Sequence, residues 1–346
     1  MSKYAPELIS TAKAMMAEGK GILAMDESNG TCNKRFEQQD IATTVKNRRT
    51  YRELILTCPN LSDYISGAIL YDETIRQSTK SGVSFVKVMQ KAGMIPGIKL
   101  DTGAKNLAGH KDEKITEGLD GLRDRIAEYY QMGARFAKWR AVITIGEATP
   151  SDACIEANAY GLARYAALCQ EGGLVPIVEP EVLIDGKHTI ERCYEVTEKT
   201  LHEVFRHLYV QNVAYDQMIL KPSMVISGTG CSTQASVEQV ATETIRCLLN
   251  TVPPAVPGIA FLSGGQSQER SSAHLNYMNA KFKSQCPWRV TFSYARAIQQ
   301  PALEHWGGNS ANVAKAQKLL LQRAKLNSAA SKGTYTQKME KKPVLV

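Results

Sequence analysis

The chain has 346 residues, 43% of them hydrophobic, enough to bury a large core as one unit or two. Its formal net charge of +8 is uneven: residues 311–346 carry eight basic groups against Glu340 alone, leaving residues 1–310 nearly neutral. That excludes the basic stripe of a folded nucleic-acid-binding domain. Eight scattered cysteines without CxxC spacing exclude a zinc ribbon or a disulfide framework, and no run approaches the ~20 apolar residues of a membrane span, so a cytoplasmic protein with reduced thiols is expected.

Short apolar runs rich in β-branched residues recur near 21–26, 65–70, 95–101, 136–142, 174–182, 218–225, 259–264 and 289–294. Helical periodicity fills the intervals: Leu119, Leu122, Ile126 and Tyr130 share one face, Ile155, Ala159, Leu162 and Ala166 another, and Val237, Val240, Ile245 and Leu248 a third. Strand and long helix in alternation demand parallel strands with crossover helices. Eight rounds predict a closed (β/α)8 barrel in one domain, residues 1–326. Beyond it, SAASKGTYTQKMEKKPVLV lacks periodicity, so residues 327–346 are expected to form a mobile tail.

Most of these runs end in charge. Asp26 closes GILAMD, Lys99 and Asp101 end GIKLD, Lys138 and Arg140 lie in FAKWRAV, Glu179 and Glu181 in IVEPE, Lys221 after MIL, and Arg296 after TFSYA. Residues two apart on a strand face the same way, so each doublet aims both charges at one place. The carboxyl ends of the strands are where such barrels carry their sites.

A single lysine at a strand end is more often a snorkelling surface residue, and Glu179 with Glu181 could equally be a structural pair satisfied by Lys138 and Arg140. Lys221 differs in having no charged neighbour two residues away on its own strand. Desolvation and nearby cations favour a neutral, nucleophilic amine, which makes it the candidate for imine formation. The two glutamates then suit proton transfer, and Asp26 either joins them or caps the following helix.

Ser263-Gly264-Gly265 follows the seventh run, and Ser293 and Arg296 follow the eighth. The loops after these two strands commonly bind phosphate in such barrels, and Arg296 offers a bidentate clamp. Thr31, Lys34 and Arg35, with Lys99 and Arg140 opposite, suggest a second anion site, and Arg48 in KNRR is an ambiguous further cation. The six histidines show no metal-ligand spacing, so neither metal nor cofactor is expected.

The motifs GKGILAMDES, NRRTYRELI, GIKLDTG, FAKWR, VPIVEPE, LKPSM, TVPPAV, FLSGGQS, TFSYARA and WGG, in this order, resemble class I fructose-1,6-bisphosphate aldolase. The resemblance implies metal-free, reversible cleavage of a phosphorylated sugar to dihydroxyacetone phosphate and glyceraldehyde 3-phosphate by a homotetramer. It makes Lys221 the Schiff-base lysine, Glu179 the proton-transferring acid and Glu181 its support, with Asp26 and Lys138 orienting the C4 hydroxyl. Ser263, Gly264, Gly265, Ser293 and Arg296 would take the C1 phosphate; Thr31, Lys34, Arg35, Lys99, Arg140 and Arg48 would face the C6 phosphate.

Three departures stand out. Ala295 replaces a glycine more usual in the family, which requires a negative φ there; Thr31 replaces a serine; and the chain ends in PVLV without the terminal tyrosine of many members. Tyr335 lies too far back to take that role. Rival readings are a pyridoxal-phosphate barrel enzyme, a zinc-dependent aldolase, and a scaffold or filament-binding protein acting through the basic tail.

Overall fold

The computed structural model describes residues 3–341. Eight parallel strands form one sheet in sequential order: β1 (Gly21–Ala24), β2 (Ile65–Leu70), β3 (Ile95–Lys99), β4 (Phe136–Ile143), β5 (Val175–Val182), β6 (Ile219–Leu220), β7 (Gly258–Phe261) and β8 (Arg289–Phe292). The two ends meet: the Ala24 amide donates to the Tyr294 carbonyl at 3.1 Å and the Thr291 hydroxyl to the Lys20 carbonyl at 2.7 Å, closing the barrel. All eight expected strands are present, because fully buried parallel strands need continuous apolar runs that a sequence displays openly.

Two layers of packing fix which side chains face inward. Ile22, Ala24, Ile69, Phe136, Val175, Ile177, Ile219 and Ala260 fill the lumen, and Leu8, Ala12, Met15 and Met16 of the N-terminal stretch stop it from below. Phe136 fits only because Gly97 lacks a side chain; a β-carbon there would lie 2.2 Å from the ring. Outside, helices bury the other strand face, as where Trp139 meets Tyr165 of the helix Asp152–Glu171, ring centroids 5.5 Å apart.

One element was missed and one boundary needs correcting. A polar antiparallel hairpin, Gly103–Asn106 with Lys114–Glu117, follows β3 and lies beside β4, where Thr116 donates to the Arg140 carbonyl at 2.7 Å. Its residues are too polar and exposed to give an apolar run. The boundary expected at residue 326 falls inside a helix, Val313–Ser331, in which Leu326, Asn327, Ser328, Ala329 and Ala330 are buried. Tyr335 is buried as well. The closing PVLV lies outside the described residues.

Candidate active site

Strand parity carries the lumen outward into a layer of charge. On β4, Phe136 faces the lumen, so Lys138 and Arg140 follow it. Val175 and Ile177 lead in the same way to Glu179 and Glu181 on β5, Ile219 to Lys221 after β6, Ile22 and Ala24 to Asp26 after β1, and Gly97 to Lys99 and Asp101 at the end of β3. The β4–β5 register sets Arg140 against Glu179 and Val142 against Glu181. Each doublet read from the sequence therefore points both charges into the barrel mouth.

There the charges pair. The Lys138 ammonium lies 2.7 Å from Asp26 Oδ2 and 3.2 Å from Glu179 Oε2, and Lys221 Nζ lies 3.2 Å from Glu179 Oε1. Glu179 thus bridges two lysines with its two oxygens. The side chains of Lys138, Glu179 and Lys221 are only 3–4% exposed, so removing one partner would strand a charge, a cost of about 3–5 kcal/mol. Arg140 pairs with Glu181, and Lys99 with Asp101 at 2.7 Å.

Burial alone would neutralise these groups, and their partners outweigh it. Burial raises the Asp26 carboxyl, but Lys138, Lys221 and Lys99 together hold it at about 2. Glu179 is likewise held below the usual carboxylate range by Lys138, Lys221 and Arg140, against burial. Burial disfavours the Lys138 ammonium, yet Asp26, Glu179 and Asp101 keep it well above the ordinary lysine range. At neutral pH Glu179 is therefore a proton acceptor, poised against Lys221.

The two loops at the other side of the mouth come together as expected. Gly264 and Gly265 adopt φ of 57° and 96°, conformations open to glycine, and a β-carbon on Gly265 would sit 3.4 Å from Arg296 Nη2. The Ser293 amide donates to Phe261 at 2.7 Å, and its buried hydroxyl has no hydrogen-bond partner among the described residues. Ser263 is buried as well. Gln266 closes the turn through its amide to the Ser263 carbonyl and lies 2.7 Å from His274 Nδ1. At Ala295 φ is −104°, so an L-residue fits where glycine is more usual.

The second anion group is less uniform. Thr31 and Lys34 are exposed on the helix Asn29–Glu37, and Ser28, its N-cap, holds the Thr31 amide. Arg35 is paired with Glu27. Arg48 is buried in a bidentate pair with Glu73, at 2.8 and 2.7 Å, and also donates to Asn33 at 2.9 Å. That locks Arg48 into the wall and leaves it no free face for a phosphate.

Sequence reasoning passed over two of the three anions that hold these cations. Asp101 takes the Lys99 ammonium and the Arg140 amide, Glu27 takes Arg35 and Arg52, and Glu73 takes Arg48. Asp101 was legible as the second member of the GIKLD doublet. Glu27 and Glu73 pair with residues distant in sequence and gave no local signal. Tyr335 donates to Glu340 and lies against the helix Gln268–Phe282, away from Lys221 and Glu179. Among the described residues one group has metal-like proximity, Glu156, Glu203 and His207, on the outer helices and shared with the Arg206 guanidinium.

A parallel barrel with a buried lysine, a bridging glutamate, a double-glycine turn after β7 and a serine and arginine after β8 is the setting of a metal-free lyase that works through an imine. The chain belongs to the class I fructose-bisphosphate aldolase family, whose model matches residues 7–344; these enzymes work through a Schiff base. A probable fructose-bisphosphate aldolase class 1 from Xanthomonas campestris pv. campestris is 61% identical over 330 residues, 95% of this chain and 98% of that protein. Fructose-bisphosphate aldolase 4, cytosolic, of Arabidopsis thaliana is 52% identical, covering 95% of this chain and 84% of its own. A co-crystal structure of the Plasmodium falciparum aldolase with TRAP and a small-molecule inhibitor has a TM-score of 0.95 at 48% identity, over 97% of each chain.

Proposed function

We propose that this protein cleaves fructose 1,6-bisphosphate reversibly to dihydroxyacetone phosphate and glyceraldehyde 3-phosphate, with Lys221 as the imine-forming residue. The observation that carries this reading is the Lys221 ammonium 3.2 Å from Glu179 Oε1, deep in the mouth of the barrel. Glu179, ionised at rest, takes a proton from Lys221 and frees the amine to attack the C2 carbonyl. The hydroxyl of the carbinolamine then leaves as water by taking that proton back from Glu179, giving the protonated imine. One residue thus accepts and returns the same proton.

Cleavage of the C3–C4 bond needs a base for the C4 hydroxyl and an electron sink, which the iminium at C2 supplies. Glu179, ionised again once the water has left, takes the C4 hydroxyl proton while Asp26 and Lys138, paired at 2.7 Å, orient and polarise that hydroxyl. The C3–C4 electrons pass into the iminium as an enamine, which takes that proton back at C3 before hydrolysis frees dihydroxyacetone phosphate from Lys221. Glu181 steadies the site through Arg140. The loops bearing Ser263, Gly264, Gly265, Ser293 and Arg296 hold the C1 phosphate. Lys99, Arg140, Arg35, Thr31 and Lys34 face the C6 phosphate, and Arg48 acts indirectly by fixing Glu73. No helix of the described residues is long and apolar enough to cross a membrane. Membership of the family supports a glycolytic homotetramer, and the cytosolic relative supports the cytosol.

Borohydride reduction in the presence of dihydroxyacetone phosphate, followed by peptide mass mapping, tests the reading. The adduct is expected on the peptide containing Lys221 and absent from Lys221→Ala. An adduct elsewhere, or none, overturns the assignment.

A further inference from the structure

The helix Arg296–Trp306 contains Pro301 in its interior. Proline has no N–H, so the carbonyl four residues earlier, that of Ala297, loses its helical donor. Arg323, 4% exposed on the helix Val313–Ser331, supplies the missing one: its Nε donates to the Ala297 carbonyl at 3.3 Å. The same guanidinium reaches the helix that follows the Ser263-Gly264-Gly265 turn. Nη2 donates to the Gln268 carbonyl at 2.8 Å and to Ser272 Oγ at 2.9 Å, in the first two turns of the helix Gln268–Phe282.

Gln268 begins the helix that follows Ser263-Gly264-Gly265, and Ala297 follows Arg296. One buried cation therefore joins the two segments that carry the C1-phosphate residues. Its remaining nitrogen, Nη1, is held by both oxygens of Glu340 at 2.7 Å, and Tyr335 donates to Glu340 at 2.9 Å. The stretch first expected to be a detached tail thus supplies the carboxylate that orients Arg323.

We propose that Arg323, oriented by Glu340, is a positioning residue for phosphate recognition: it sets the spacing between the Ser263–Gly265 loop and Arg296 and so tunes substrate affinity without touching substrate. This rests on the assignment of those loops to the C1 phosphate. Coupling through packed neighbours of this kind is expected to change affinity about threefold to tenfold. A neutral partner at 340 leaves the guanidinium free to rotate off its two carbonyls.

The test uses the full-length chain with Glu340→Gln, whose position is partly exposed, and Arg323→Lys, which keeps the charge but loses the planar fork. Leu201→Ala, in a helix on another side of the barrel, serves as a control for destabilisation alone. For Glu340→Gln, the KM for fructose 1,6-bisphosphate and the inhibition constant of inorganic phosphate should both rise about threefold to tenfold, with kcat within about twofold. Leu201→Ala should lower Tm and move neither constant. Unchanged KM and phosphate inhibition in Glu340→Gln overturns the proposal even if Arg323→Lys does not fold. Trapping of dihydroxyacetone phosphate on Lys221 in the same preparations separates the two readings, since it persists if only the clamp is wrong.

Discussion

Glu179 divides its two oxygens between Lys138 and Lys221, at 3.2 Å each, and this sharing governs what each group can do. Lys138 also holds Asp26, so its charge is doubly compensated, whereas Glu179 is the carboxylate within ion-pair reach of Lys221. Neutralising Glu179 removes the proton acceptor and strands the buried Lys221, so it should cost both catalysis and stability. Glu179→Gln is expected to lower kcat by about 10²–10⁴, the usual scale for a positioned acid or base. Steady-state assays check this, and an unchanged kcat would remove Glu179 from proton transfer. Lys138→Met should strand Asp26 and destabilise the fold by about 3–5 kcal/mol in urea titrations.

At the scale of elements, backbone conformation decides which sequence departures matter. Ala295 has φ of −104° and needs no glycine. Ala295→Gly should leave the KM unchanged and lower stability by about 0.4–1 kcal/mol, because glycine widens the unfolded ensemble. Gly97 is the opposite case. Gly97→Ala would drive a methyl into Phe136, an overpacking cost of about 1–3 kcal/mol measurable as a drop in Tm. The same distinction explains what the sequence displayed: the strands follow continuous apolar runs and the inward doublets a two-residue spacing, and both survive without tertiary information. The Gly103–Asn106 hairpin is too polar to give an apolar run, and the Arg48–Glu73 pair and the Arg323–Glu340 clamp depend on charges meeting 25 and 17 residues apart.

For the whole molecule, the charge at the mouth links function to acid stability. Asp26, Glu27 and Glu179 are buried carboxylates held below their ordinary ranges: burial opposes their charge, but Lys138 and Lys221 with Asp26, Arg52 and Arg35 with Glu27, and Lys138 with Glu179 outweigh it. A carboxylate whose folded value is depressed stabilises the fold above its unfolded value and loses that contribution as pH falls through the folded one. For Asp26 the window runs from the free value of 3.8 down to about 2, a contribution of about 2 kcal/mol. Urea midpoints should therefore fall steeply as pH drops from about 4 to about 2. In Asp26→Asn the residue no longer titrates, so the curve should start lower at neutral pH and slope less through that window. If the variant and the parent show parallel slopes, Asp26 is not held ionised by the lysines, and the ion-paired mouth described here does not exist in solution.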